Sequence, residues 1–417
     1  MNQEKMQKTK KIVILTADAG FGHRSAANAL AAAFESTFTD CLVTIVNPLD
    51  DKRAPFFLRE SQSDYDKLVK NMPDLYRFGY EASDAMVPAT IVESALSVLL
   101  YEAIRSVFKN HQPDAVITTY PIYQAPVNAY LTVSGKNIPF FTVITDLVTV
   151  HRIWFNKNVD GCFVPTEEVR GLALSSGVPE QKIHTKGIPV HPRIAAETRS
   201  KQEIRAELGW KPDLPTFLAV GSKRVEGLNQ ALHVINHFGA PLQLAVVAGK
   251  DKELYDQLQA NEWHIPTHLY EFSSEMPLLM RAADAIICKA GGLIVTESLA
   301  SGLPMLLIDI IPGQEEGNAN YVVSNGAGDL VDSYEKTLEA VAHWMMNGAA
   351  LMKERARNAR MLSKPFAARE IAELVHQTLL DKTTASTTTR QANRRSFIKL
   401  LTQFQIPWQD DSPKSTR

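Results

Sequence analysis

Short apolar runs recur along this chain, separated by longer stretches in which apolar residues return every three or four positions. The runs at 12–16, 42–46, 115–119, 140–145 and 161–165 predict buried strands, and the alanine-rich residues 24–34 predict a helix after the first of them. Strand-like and helix-like segments alternate, which is the signature of α/β layers around a parallel sheet. At Gly187-Ile188-Pro189-Val190-His191-Pro192, two prolines and a glycine halt regular structure. The pattern then repeats, with a helix near 201–208 and strands near 216–220, 242–248, 285–288 and 304–308. The expected organisation is a doubly wound domain over 1–187, a second over 188–362, a closing helix over 363–380, and a tail over 381–417.

Composition narrows the class. A chain of 417 residues, 45% of them hydrophobic, suffices for two cores. Lys plus Arg number 44 against 46 Asp plus Glu, so the net charge of −2 gives no reason to invoke nucleic acid. Cys41, Cys162 and Cys288 are far apart and odd in number, which suggests neither a disulfide frame nor a zinc site and favours a reducing compartment. No secretory signal is visible, and no run approaches the roughly 20 apolar residues of a spanning helix.

Two segments carry candidate chemistry. In the second half, Lys289-Ala290-Gly291-Gly292 precedes residues that run without Gly or Pro to Ser301. Gly291 and Gly292 let a backbone approach a diphosphate, and the following helix would aim its N-terminal amides at the anion. Glu297, a turn or two along, can accept hydrogen bonds from paired hydroxyls such as those of a ribose. The turn Pro312-Gly313-Gln314-Glu315-Glu316-Gly317-Asn318 gathers amides and carboxylates suited to a polyol, with Gln314, Glu315 and Asn318 as candidates. In the first half, Gly20-Phe21-Gly22-His23 follows the first strand and opens the first helix. His23 there is a helix-start residue, and since imidazole titrates near neutrality a helix N-terminus favours its neutral form.

In this order the segments resemble the GT-B glycosyltransferases that include monogalactosyldiacylglycerol synthases, processive diacylglycerol glucosyltransferases and the peptidoglycan lipid-linked N-acetylglucosaminyltransferase. Asp309-Ile310-Ile311-Pro312-Gly313-Gln314-Glu315 and Asn325-Gly326-Ala327-Gly328 look closest to the galactolipid synthases. The resemblance covers roughly residues 11–380. It implies a GT-B fold, two Rossmann-like doubly wound domains facing across a cleft. It also implies His23 as base for the acceptor hydroxyl, with Gly22 beside it; relatives of the plant type have a third glycine where Phe21 stands.

Other positions take expected roles from the same resemblance. Thr145-Asp146, at the end of a predicted strand, is matched by a Thr-Asp in the family, with a histidine and a Trp-Phe pair after it, here His151 and Trp154-Phe155. Asp146 is expected to orient His23 or hold the acceptor, His151 to meet a donor phosphate, and Trp154 to serve the acceptor or the core. Gly221, Lys223 and Gly227 stand where relatives have a glycine-rich phosphate turn, and Ser222, Lys223 and Arg224 point to side-chain cations in place of backbone amides. Gly249, Phe272 and Met276 stand where relatives form the uracil and phosphate edges. Asp64-Tyr65-Asp66 is the one Asp-x-Asp triplet, and neither it nor the fold class implies a metal or other cofactor.

Residues 52–110 mix apolar side chains such as Phe56, Phe57 and Leu58 with Lys52, Arg53, Arg59, Lys67 and Lys70, which suits either amphipathic core helices or an anionic bilayer. In the tail, Phe397, Leu400, Leu401 and Phe404 share one helical face flanked by Arg394, Arg395 and Lys399, with Trp408 beyond. That face suits an interfacial membrane anchor or a helix docked on its own protein. The expected function is inverting transfer of a hexose, galactose foremost, from a UDP-sugar to the sn-3 hydroxyl of diacylglycerol, by a peripheral protein on the cytoplasmic face of a membrane. A UDP-glucose-dependent enzyme of the same lipid class, and a non-lipid UDP-sugar enzyme or sensor, stay open.

Overall fold

A computed structural model describes residues 9–18, 21–60, 89–221, 225, 227–310, 315–381, 394, 397–399, 401–403 and 406. The chain divides into two compact units, Met1–His191 with Ala367–Arg417, and Pro192–Phe366.

The first unit is built on six parallel strands: β1 (Lys10–Leu15), β2 (Cys41–Val46), β3 (Ala115–Thr118), β4 (Phe140–Val143), β5 (Gly161–Val164) and β6 (Ile183–Thr185). Their order across the sheet is β2-β1-β3-β4-β5-β6. The chain therefore reverses direction across the sheet between β1 and β3, leaving a crevice beyond their carboxyl ends. Helices cover both faces, and for that reason β3, β4 and β5 are buried along their whole length. One face packs Ile12 and Ile14 against Ala27, Leu30 and Phe34 of the helix Phe21–Thr37. Ile371 and Val375 of the helix Ala367–Asp381 complete that cluster, so the last long helix belongs to the first unit. Lys10 and Lys186 tie it down further, Lys10 Nζ lying 2.9 Å from His376 Nε2 and Lys186 pairing with Glu370 at 2.8 Å.

The second unit repeats the logic with β7 (Thr216–Val220), β8 (Gln243–Val247), β9 (Thr267–Tyr270), β10 (Ala285–Cys288), β11 (Met305–Leu307) and β12 (Gly328–Leu330). All are parallel, in the order β12-β11-β10-β7-β8-β9. Here the reversal falls between β7 and β10. At its edge Gly221 packs closely, and a Cβ there, 2.7 Å from Leu254 Cδ2 and 2.8 Å from Leu228 Cδ2, would force those leucines to shift.

β6, β9 and β12 are not foreseen by the sequence pattern. Each stands at or beside a sheet edge, is three or four residues long, and is partly open to solvent, so none shows a continuous apolar run.

The tail departs from the anchor expectation. Leu401 is fully buried, and Phe397, Ile398 and Ile406 pack against the same core cluster of the first unit. Arg394 Nε donates to the carbonyl of Val133 at 3.1 Å, near the end of the helix Gln124–Ser134. Phe397 and Leu401 of the apolar face are thus used within the protein, as the docked alternative requires; Leu400, Phe404 and Trp408 lie outside the described residues. Leu401→Ala is expected to lower the unfolding free energy by about 2–5 kcal/mol in urea titration, the range for truncating a fully buried leucine. A tail that rests loosely on the surface would lose far less.

Candidate active site

His23 lies in the first turn of the helix Phe21–Thr37, directly after β1, and Thr119 directly follows β3. The two therefore flank the crevice of the first sheet, and they bond to one another. The Nδ1 of His23 is 2.9 Å from the carbonyl oxygen of Thr119 and 2.8 Å from Thr145 Oγ1. A carbonyl can only accept, so Nδ1 carries the proton, and the neutral ring keeps its lone pair on Nε2. Thr119 holds the residue from its other side as well, its hydroxyl donating to the backbone carbonyl of His23 at 3.0 Å. The Tyr120 ring meets the imidazole edge-on at 4.8 Å. Burial disfavours the imidazolium and pushes the His23 pKa down to about 4, against the Thr119 carbonyl, which raises it.

Asp146 is at the end of the segment after β4, but its carboxylate does not orient His23. Its Oδ2 accepts instead from Trp154 Nε1 at 2.7 Å. Burial raises the Asp146 carboxyl to about 6, and the indole bond lowers it in part. Trp154 is only 1% exposed, so it is a core residue that fixes Asp146 and offers no surface to an acceptor. The Nδ1 of His151 accepts from Ile153 N at 3.1 Å, which leaves the ring proton on Nε2 as a donor. Gly22 sits in the first turn beside His23.

In the second unit the crevice lies between the loops after β7 and β10. Gly291 is the N-cap of the helix Gly292–Ser301 and has no side chain to cap it, so the first amides of that helix are available to an anion. Asp309 joins the two loops, its Oδ2 accepting from Gly227 N at 3.1 Å and its carbonyl from Ala290 N at 3.1 Å. Glu297 has no hydrogen-bond partner among the described residues, and burial raises its carboxyl to about 7.

Glu315 and Asn318 make contacts within the protein. Glu315 is 4% exposed and forms an ion pair with Lys289. A Cβ on Gly291 would lie 3.3 Å from Lys289 Nζ and 3.4 Å from Glu315 Oε1, so the glycine makes room for that pair. Asn318 donates through Nδ2 to the carbonyl of Ala290 at 3.0 Å, bracing the glycine turn from beneath. Gly249 adopts φ +68°, Phe272 is exposed, and Met276 begins the helix Met276–Ala282. Lys223, Gln314, Gly20 and Asp64-Tyr65-Asp66 lie outside the described residues.

Thr119 and Lys289 are supporting residues that the sequence pattern does not single out. Thr119 acts on the His23 ring through its backbone, which has no side-chain signature, and the Lys289–Glu315 pair spans 26 residues with no periodicity to reveal it. Among the described residues, Asp40, Cys41 and His376 bring three possible metal ligands together. Lys10 Nζ already bonds Asp40 at 2.7 Å, and burial raises the Cys41 thiol to about 11, so a protein ammonium takes the cation's place there.

Comparison with known proteins gives two consecutive family matches, monogalactosyldiacylglycerol (MGDG) synthase over residues 23–190 and the glycosyltransferase family 28 C-terminal domain over residues 216–378. The chain is 34% identical to a probable chloroplastic monogalactosyldiacylglycerol synthase of Glycine max, over 89% of this chain and 72% of that protein. It is 33% identical to monogalactosyldiacylglycerol synthase 3 of Arabidopsis thaliana, over 90% and 83%. Among solved structures, Acinetobacter baumannii MurG aligns with TM-score 0.55 at 16% identity, over 88% of this chain and 99% of that one. The S. aureus MnaA–UDP structure aligns with TM-score 0.55 at 14% identity, over 90% and 98%.

The depressed His23 pKa has a consequence for folding. The unfolded ring titrates near 6.5 and the folded one near 4, so its contribution to stability is complete above pH 6.5 and is lost as pH falls toward 4. His23→Gln is expected to flatten that part of the stability profile in denaturant titrations from pH 7 to 4. An unchanged slope would show that His23 is not buried in its neutral form.

Proposed function

The chain belongs to the monogalactosyldiacylglycerol synthase family and has the GT-B fold, and from this we propose that it transfers galactose from UDP-galactose to the sn-3 hydroxyl of diacylglycerol with inversion. The observation that carries the reading is the His23 geometry: Nδ1 is committed to the Thr119 carbonyl, and Nε2 is left as a base. In the reaction Nε2 takes the proton of the acceptor hydroxyl while that oxygen attacks the anomeric carbon. The bond from that carbon to the β-phosphate oxygen breaks, and UDP leaves with the electron pair. The uncapped amides ahead of Leu293 and Ile294 suit the diphosphate, and the carboxylate of Glu297 suits the ribose hydroxyls. Asp146, fixed by Trp154, is assigned to the acceptor side with His23. Gly221, Gly249, Gly291, Gly292, Phe272 and Met276 are assigned to the donor, as are Glu315 and Asn318, whose bonds to Lys289 and to the Ala290 carbonyl also hold the glycine turn. No metal or other cofactor takes part in this scheme.

The lipid acceptor requires contact with a bilayer. Phe56 and Phe57 are 63% and 59% exposed on the first unit, with exposed Lys52 and Arg53 beside them and the Arg59 guanidinium 5.9 Å from the Phe56 ring centre. Adjacent aromatic and cationic groups suit the interface of an anionic membrane, and no helix among the described residues is long and apolar enough to cross one. We assign the protein to a peripheral position on that surface.

The experiment that tests the donor and acceptor together is parallel transfer from UDP-galactose and UDP-glucose to diacylglycerol in mixed vesicles. Galactolipid as the main product is expected; a main product from UDP-glucose would place the enzyme in the glucosyl branch, and no lipid product from either would remove the acceptor. Phe56→Ser with Phe57→Ser is expected to cut binding to vesicles containing anionic lipid severalfold, measured by flotation, while leaving UDP affinity unchanged. Because only ionised Glu297 accepts from both ribose hydroxyls, affinity for an intact UDP-sugar is expected to rise about tenfold from pH 6 to pH 8, as the ionised fraction rises around a pKa near 7. Glu297→Gln should bind weakly with no such slope in calorimetric titrations.

A further inference from the structure

We propose that Lys250 is a donor-positioning residue, which holds the exposed Phe272 ring in place for the nucleobase of the sugar nucleotide; this rests on the UDP-sugar reading above. Three observations converge on it. Lys250 follows β8 and Phe272 follows β9, so both lie on loops at the carboxyl edge of the second sheet, where open α/β folds bind ligands. The Lys250 ammonium lies 4.4 Å from the Phe272 ring centre, a cation–π contact, although that ring is 53% exposed. Lys250 also has φ +67°, immediately after Gly249 at φ +68°.

The backbone conformation is the informative part. A non-glycine residue in the left-handed region is strained, and a lysine there wins nothing for the fold that glycine would not supply without strain. The chain carries glycine at the neighbouring position 249, yet a long cationic side chain at 250. The backbone N–H of Lys250 donates to the Glu271 carbonyl at 3.0 Å, which ties the β8 loop to the residue before Phe272. That bond would survive any substitution except proline, so it does not explain the choice of lysine. The side chain does.

Charge supports the same assignment. Of the lysines that follow β8 and β10, Lys289 is neutralised by Glu315. No carboxylate pairs with Lys250 among the described residues, and its ammonium lies against the Phe272 ring. An ammonium on one face of the ring limits the rotation of an otherwise open side chain and leaves the other face to a planar base.

The role separates stability from binding, and the test uses that separation. Lys250→Gly removes the left-handed strain and the cation together. It is expected to raise Tm or leave it unchanged, to raise KM for UDP-galactose about three- to tenfold, and to leave kcat close to wild type. Lys250→Arg, which retains the cation over the ring, should restore KM to within about twofold of wild type. Because Lys250 acts through Phe272, adding Lys250→Gly to Phe272→Ala should raise KM no further than Phe272→Ala alone. Unchanged KM in Lys250→Gly, or fully additive effects in the double variant, would overturn the proposal. Calorimetric titration of the wild type with UDP distinguishes the two levels of failure. If the wild type binds UDP and Lys250→Gly binds it equally well, only the positioning role falls; if the wild type binds no UDP, the donor reading falls and takes this inference with it.

Discussion

The hydrogen bond from His23 Nδ1 to the Thr119 carbonyl is the constraint on which the proposed chemistry depends. It joins the residues just beyond β1 and β3, the two strands between which the first sheet reverses direction. Those strands are neighbours because their Ile, Val and Leu side chains are buried on both faces, and their register, with Leu15 opposite Thr118, brings the loops together at one edge. The fold thus selects a tautomer. The same bond leaves Nε2 as the only ring atom able to take a proton, and burial keeps the ring neutral.

The second unit uses the same architecture for a different task. Its reversal between β7 and β10 gathers the Gly221–Gly227 loop and the Gly291 turn, and Asp309 bonds the backbone of both. The first unit presents an imidazole with its proton held on Nδ1, whereas the second presents backbone amides and one carboxyl raised by burial to about 7. A base and an anion site are the two requirements of a displacement in which a hydroxyl loses its proton and a nucleoside diphosphate departs.

Much of this was legible in the residue order. Strands with three or more consecutive branched apolar residues were readable, as Ile12-Val13-Ile14-Leu15 illustrates, and so were the helices that begin at Phe21 and Gly292. Edge strands such as Ile183-His184-Thr185 were not, because a half-covered strand of three residues carries too few apolar positions to form a pattern. At the site, His23 and Glu297, to which the proposed mechanism gives side-chain roles, stood out from their neighbours. Residues that act through backbone groups or distant pairs, such as Thr119 and Lys289 with Glu315, had no local sign. Trp154 and the tail stayed open between two readings for one reason: an apolar side chain looks the same in a sequence whether it faces lipid or core, and only the fold shows that Trp154 and Leu401 are buried.

The central claim is that the Nε2 lone pair of His23 removes the acceptor proton during hexosyl transfer. Its most direct test is the kcat of His23→Ala with UDP-galactose and diacylglycerol vesicles, with UDP affinity measured on the same preparation. The account predicts a loss of about 10²–10⁴ in kcat, the usual contribution of a positioned base, with UDP binding retained. Transfer at the wild-type rate would contradict it and leave the tautomer selected by Thr119 without a catalytic purpose.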